Sequence, residues 1–183
     1  MPKLSILIPT MNRRKHFLER LMGCLDNQVN GPYSVEILTN CDDGEKTIGQ
    51  KRNELVEQSK GDYVVFIDDD DIVTENYLEE IFRGILAGVD HIGICGWYEP
   101  TNLPKCLFKC SKYYQWEFRN NTYYRTAQHL CAIRRSIAFS VRFPHISSGE
   151  DKAWSDIVNT LIGSEYLINT PIYTYLFIPN KTI

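Results

Sequence analysis

At 183 residues, with 43% apolar residues and a small charge imbalance, the chain is long enough for one domain with a core of its own. A net charge of −3 and a pI near 5.8 exclude the basic excess expected of a dedicated nucleic-acid binder. No apolar run approaches the roughly 18 residues of a membrane span, and Met1-Pro2-Lys3 leads straight into a strand pattern rather than a leader, so a cytoplasmic protein is expected.

Leu4-Ser5-Ile6-Leu7-Ile8-Pro9 reads as a short buried strand stopped by its proline. From Arg13 to Asn27, Phe17, Leu18, Leu21, Met22 and Leu25 recur at helical spacing. The unit then repeats. Ser34 to Leu38 is a second strand, Asn40 to Glu45 a polar loop, and Ile48 to Ser59 a helix ending before Gly61. Tyr63 to Ile67 gives a third strand, and Asn76 to Ala87 a third helix with Tyr77, Leu78, Ile81, Phe82, Ile85 and Leu86 along one face. Strands alternating with helices imply parallel pairing with right-handed crossovers. Ligands on such sheets lie beyond the carboxyl ends of the strands, where Thr10 to Arg14, Cys41 to Glu45 and Asp68 to Asp71 all emerge.

His91 to Gly96 reads as a fourth strand, after which the pattern loosens. Residues 97–125 are far richer in aromatics than the chain average of 12%, with Lys and Arg interleaved. Such rings suit a sugar or another flat, amphipathic ligand, or equally a β-rich packing layer. Gln128 to Ser140 returns to helical character through Ile133, Ile137 and Ala138. Ser147-Ser148-Gly149 leads into a helix from Glu150 to Leu161, and Glu165 to Ile178 closes the chain with strand segments broken at Pro171. The six cysteines form no CxxC pair and no zinc spacing with histidine, so they read as free thiols, Cys106 and Cys110 as surface or half-buried neighbours.

The third strand runs directly into Asp68-Asp69-Asp70-Asp71. Adjacent like charges raise one another's pKa, so the cluster costs stability unless a cation neutralises it. Mg²⁺ or Mn²⁺ suits carboxylate oxygens, and Mg²⁺ is commonly held by one or two of them together with substrate phosphates. A polar loop with surface Asp residues is the alternative. Asp42 and Asp43 can accept hydrogen bonds from a nucleobase edge or simply form an Asp-Asp-Gly turn with Gly44. Lys51 and Arg52 point about 100° apart on their helix, so one of them is expected to face the crevice and pair with a pyrophosphate. For Arg13 and Arg14, solvated surface charge is the better reading. Glu150 and Asp151 complement the positive end of their helix, and a carboxylate there can also take a proton.

In order and spacing, these motifs resemble the GT-A-type nucleotide-sugar glycosyltransferases of the single-domain, family 2-like kind. The resemblance rests on Ser5 to Arg14, Asp42-Asp43-Gly44, Ile48 to Asn53, Gly61-Asp62-Tyr63 with Phe66 to Asp71, and Gly149-Glu150-Asp151, and spans most of the chain. It implies an α/β fold, Rossmann-like, with a mixed, mainly parallel central sheet flanked by helices. It also implies metal-dependent, inverting transfer of a sugar from a nucleotide-diphosphate donor to a glycan or other hydroxyl acceptor. Aligned on that family's DxD motif, Asp70 touches the Mn²⁺ or Mg²⁺, with Asp68 facing the ribose or bridging through water. Asp69 and Asp71 stand beside the donor, Asp71 alternatively orienting the loop. One of Asp42 and Asp43 reads the nucleobase, and Glu45 in the usual Ser position leaves its identity open. Thr10, Asn12 and Arg13 fall on the donor side, with Lys51 or Arg52. Asp151 is the implied general base, and Glu150 an acceptor-binding partner or alternative base. Trp154 either walls the acceptor pocket or packs in the core.

Many enzymes of this type add a late histidine to the metal shell, but Ile172-Tyr173-Thr174-Tyr175 has none, leaving His129 and His145 as distant candidates. Residues about 1–98 would bind the donor and 99–183 the acceptor, within one domain. A partner domain or a second copy would complete a shallow acceptor site, and Ile178 to Ile183 offers no membrane anchor. Two other readings compete. One is a haloacid-dehalogenase-like phosphatase with Asp68 as nucleophile; the other is a degenerate module that binds a sugar nucleotide or glycan without turnover.

Overall fold

The computed structural model describes residues 3–177, so the expected strand end at Ile178 and the segment after it lie outside the described residues. In chain order, β1 (Leu4–Met11) passes through a 3-10 turn (Asn12–Arg14) into α1 (Lys15–Val29), followed by β2 (Val35–Asp42), α2 (Ile48–Gln58) and β3 (Tyr63–Phe66). Then come β4 (Ile72–Val73), α3 (Tyr77–Leu86), β5 (His91–Pro100), β6 (Cys106–Cys110), β7 (Glu117–Arg119) and β8 (Thr122–Arg125). The chain ends with β9 (Ala132–Arg134), α4 (Arg135–Ser140), α5 (Glu150–Leu161) and β10 (Glu165–Phe177). One sheet runs β2-β1-β3-β9-β5-β6-β8-β7, with β10 pairing with both β5 and β4.

β1 pairs in parallel with β2 and β3, and every residue in it is buried, as expected of a strand covered on both faces. Its alternation feeds two cores. Leu4, Ile6 and Ile8 pack with Leu21 and Leu25 of α1 and with Tyr77, Leu78 and Ile81 of α3. Leu7 faces the other side, with Leu55 and Val56 of α2 and Trp154 and Val158 of α5.

Pro9 does not stop β1, which continues to Met11 against β2. The Leu7 carbonyl accepts from Ile67 N at 3.2 Å, so Leu7 and Pro9 both turn their backbone toward β3. β3 pairs no further than Leu7, so the missing N–H at Pro9 leaves no strand bond unmade. Similarly, Pro171 does not break β10 but marks register shifts in its pairing with β5. The expected helix over 128–140 is a turn, then β9, then α4. Cys131, Ala132 and Ile133 are buried, and β9 fits antiparallel between β3 and β5, with Ile133 opposite both Val64 and His91. A short apolar run with all sides covered carries no periodicity that separates strand from helix. All six cysteines are free thiols, and Cys106 and Cys110 are buried in β6 rather than at the surface.

α2 starts on a capping box: Thr47 Oγ1 accepts from Gln50 N at 3.2 Å while Gln50 Oε1 accepts from Thr47 N at 2.9 Å. One residue in, Gly49 lies so close to the 144–148 loop that a Cβ would stand 1.8 Å from the Pro144 carbonyl oxygen. Its N–H donates to Ile146 O at 3.1 Å. Gly49→Ala must push backbone apart, and we expect a loss of roughly 1–3 kcal/mol in urea unfolding. An unchanged midpoint would mean that the loop moves freely.

β5 opens on His91, fully buried with Nδ1 2.9 Å from Glu165 Oε2 at the start of β10. Burial pulls the imidazole pKa down, but Cys131 and Glu165 outweigh it and push it up to about 9. Burial also drives the Cys131 thiol well up, which leaves Glu165 as the charge opposite the imidazolium. A raised histidine pKa stabilises the fold fully below its ordinary value of 6.5 and loses that contribution as pH rises through about 9. Melting temperature is therefore expected to fall between pH 7 and 10, with the slope absent in His91→Gln; a parallel slope in that variant would assign the effect elsewhere.

Candidate active site

The loops leaving β1, β2 and β3 meet at one end of the sheet, and helices from both halves of the chain close around them. The four consecutive carboxylates do not behave alike. Asp69 and Asp71 turn inward, with side chains 2% and 0% exposed, whereas Asp68 and Asp70 keep 17% and 14%. Asp69 accepts from Thr10 Oγ1 at 2.6 Å and is gripped by Arg14, with Nε at 3.0 Å from Oδ2 and Nη2 at 2.5 Å from Oδ1. Asp71 accepts from the Tyr173 hydroxyl at 2.6 Å and from Leu176 N at 2.9 Å, tying the loop to β10. Burial, and then the charge of Asp68, push its carboxyl well up. Asp69 and Asp71 thus hold the loop, and Thr10 acts through Asp69. Arg14, expected at the surface, is buried because it neutralises Asp69 and also reaches Asp70 Oδ2 at 3.0 Å.

Asp68 joins a second charged group. Arg52, buried on α2 against the rings of Phe66 and Phe143, places Nη2 3.2 Å from Asp68 Oδ1 and Nη1 2.7 Å from Glu150 Oε1. His129 places Nε2 3.5 Å from Asp68 Oδ2 and Nδ1 3.9 Å from Asp151 Oδ2. Burial alone would raise the Asp68 carboxyl, but His129 and Arg52 hold it well below the usual carboxylate range. His129, 5% exposed, meets both carboxylates through long charge contacts rather than well-formed hydrogen bonds. Asp151 is the more accessible acid at the head of α5, with 33% of its side chain exposed against 7% for Glu150. Gly149 precedes the pair at φ 81°, the left-handed turn that starts the helix.

These groups line a cavity of about 210 Å³ whose walls include Arg52, Asp68, Arg125, His129, Asp151 and Tyr175. A second cavity of about 320 Å³ adjoins it through Ile48 and Ser147 and is bordered by Arg13, Asp43, Gly44 and Lys51. Its floor is built locally. Asp42 pairs with the buried Lys51 and accepts from Lys46 N at 2.9 Å and Gly44 N at 3.1 Å, so it shapes the turn. Burial would raise the Asp42 carboxyl, but Lys51 and the two amides lower it. Asp43 faces the cavity and accepts from Asn12 Nδ2 at 2.9 Å. Glu45, in the position where Ser was expected, accepts from Asp43 N at 2.8 Å. Lys51 also donates to Thr10 O at 2.7 Å.

Both cations of the Lys51-Arg52 pair are therefore buried in ion pairs with carboxylates, where only one was expected to face the crevice. Trp154 belongs to the core: it is 1% exposed, stacked on Phe143 at 4.7 Å, and donates to Val141 O at 3.2 Å. His129, isolated in sequence and only a distant candidate, sits between Asp68 and Asp151, while Arg125, Gln128 and Tyr175 reach the cavity without any local motif to signal it. Among the described residues no group of three or more His, Cys, Asp or Glu is arranged to hold a metal ion. The outward pair Asp68 and Asp70 fits a more limited role, supplying two hard oxygen donors to a cation that phosphate oxygens complete.

Comparison with known proteins gives the family and the fold. The model of a family described as glycosyl transferase family 2 matches residues 42–142. An uncharacterized glycosyltransferase of Haemophilus influenzae is 26% identical over 102 residues, covering 44% of this chain and 41% of that protein. Among solved structures, S. aureus TarS 1-349 in complex with UDP superposes with a TM-score of 0.71 at 18% identity, covering 97% of this chain and 61% of that one. The mannosyltransferase PcManGT from Pyrobaculum calidifontis, in complex with GDP-Man and Mn²⁺, gives 0.65 at 11% identity, covering 99% and 59%. The chain thus spans about two fifths of that relative's length and three fifths of the two solved ones. What it shares with the solved structures is the GT-A fold, the mixed α/β sheet expected from the motif order. No helix among the described residues is long and apolar enough to cross a membrane.

Proposed function

This chain belongs to glycosyl transferase family 2, and from that membership we propose that its crevice binds a nucleotide-diphosphate sugar and transfers the sugar, with inversion, to an acceptor hydroxyl. Membership sets aside the phosphatase alternative built on Asp68. The observation that carries the reading is the meeting of Asp68 and Asp151, from opposite halves of the chain, in one cavity with His129 between them. The nucleotide class is supported by the structural neighbours, solved with UDP, UDP-GlcNAc and GDP-Man.

In this reading Asp43 meets the nucleobase in the second cavity, with Asn12 and Arg13 beside it, and Asp42 and Lys51 keep the turn in shape. A divalent cation, Mn²⁺ or Mg²⁺, held by Asp68 and Asp70 with diphosphate oxygens would neutralise charge developing on the leaving group. Arg52 serves the donor indirectly, by fixing Asp68 and Glu150. The acceptor oxygen attacks the anomeric carbon, the bond to the diphosphate oxygen breaks with its electron pair, and Asp151 takes the hydroxyl proton. Glu150, held by Arg52, orients the head of α5 rather than acting as the base. Residues up to about 98 contribute most of the donor side and later residues the acceptor side.

The test is a thermal-shift comparison of UDP-, GDP-, dTDP- and CMP-sugars, with and without Mn²⁺, on wild type and Asp70→Asn. A metal-dependent rise for one nucleotide class, lost in the variant, is expected. No response of the wild type to any sugar nucleotide would overturn the donor assignment.

A further inference from the structure

Strand pairing gathers the aromatic residues of the second half onto one face of the sheet. Tyr175 on β10 stands opposite Tyr98 on β5, Phe108 on β6 opposite Tyr123 on β8, and Tyr123 opposite Phe118 on β7. Phe108 also stands opposite Gly96, two residues from Tyr98, so the rows share a face. Above the core lies a chain of rings, half-buried except for the exposed Phe118: Tyr175 to Tyr98 at 5.6 Å, Tyr98 to Tyr123 at 5.4 Å and Tyr123 to Phe118 at 4.5 Å between centroids. Arg125, two residues beyond Tyr123, puts its guanidinium carbon 5.8 Å from that ring and 5.9 Å from Tyr175.

The row has a direction. Its inner end is the cavity itself, since Tyr175 and Arg125 line it with Asp151. At its outer end Phe118 is 57% exposed. Three of the four rings are tyrosines and Arg125 lies against two of them, so the strip is amphipathic rather than oily. Pyranose rings match that chemistry, with C–H faces for the rings and hydroxyls for the polar rim. An acyl chain would leave the polar rim without partners, and burying it that way is costly.

We propose that the acceptor is an oligosaccharide, its reactive hydroxyl at Asp151 and its following sugars laid along Tyr175, Tyr98, Tyr123 and Phe118. This rests on the transferase reading of the cavity. It commits the aromatic strip to the acceptor and assigns the donor none of it.

The full chain, loaded with whichever nucleotide sugar stabilises it, is applied to an array of oligosaccharides, and retained ligands are titrated against wild type, Phe118→Ala and Tyr123→Ala. Phosphatidylglycerol vesicles and sedimentation of the protein alone are run beside it. Retention of oligosaccharides, at least tenfold weaker in both variants with the donor-induced melting shift unchanged, is expected. Phe118 is exposed, so its substitution leaves the fold intact. Retention of no oligosaccharide, equal retention by the variants, binding to vesicles instead, or self-association that the variants abolish would each overturn the proposal. A missing donor shift in the wild type would be a failure of the transferase reading instead, and is read separately.

Discussion

Asp151→Asn is expected to lower sugar transfer by about 10² to 10⁴-fold while the donor-induced melting shift stays as in wild type. Asparagine keeps the shape of the side chain and the acceptor oxygen that takes Lys152 N at 2.7 Å, so the head of α5 should hold. Only the basicity is removed. Glu150→Gln makes the contrast, because Glu150 is bound to Arg52 rather than open to the acceptor and its loss should weaken donor binding along with transfer. Steady-state rates with saturating donor separate the two. Transfer by Asp151→Asn at the wild-type rate would take the proton-accepting role away from this residue.

The largest effect on stability is expected at Arg52. Arg52→Met keeps much of the bulk against Phe66 and Phe143 but leaves Asp68 and Glu150 facing each other without the cation that joins them. Breaking a buried pair from one side costs roughly 3–5 kcal/mol, a large share of the roughly 5–15 kcal/mol that holds a domain together. The urea midpoint should fall accordingly, and Arg52→Met combined with Glu150→Gln should recover part of the loss, since a neutral amide is cheaper to bury than an unpaired carboxylate. If the double variant were no more stable than the single one, the cost would lie in packing and not in charge.

Much of this arrangement was legible in the sequence because local rules and global fold agree there. α2, α3 and α5 begin and end close to where spacing and punctuation put them, and the motifs after β1, β2 and β3 converge because parallel strands deliver their loops to one end. The failures share a cause. Pro9, Pro171 and the 128–140 segment were misread because each is governed by which neighbouring strand is present, a fact of tertiary pairing. Local chemistry likewise marks four aspartates as a cluster but does not say which two turn inward; that depends on Thr10, Arg14 and Tyr173. His129 stood out no more than His145, since its position between two carboxylates far from it in the chain is set by the fold.

The place of β9 bears on how the protein comes to be folded. β3 and β5 are joined by a strand that is made after both of them, so an emerging chain presents two open edges until Ala132 to Arg134 arrive. Such late, non-local closure slows folding and exposes pairing edges to other chains. Asp151 follows β9 in the sequence, so the carboxylate proposed as the base is made only after the gap between β3 and β5 can close. A nascent chain released early would carry Asp68 to Asp71 on an unfinished sheet open to aggregation, without Asp151 opposite them.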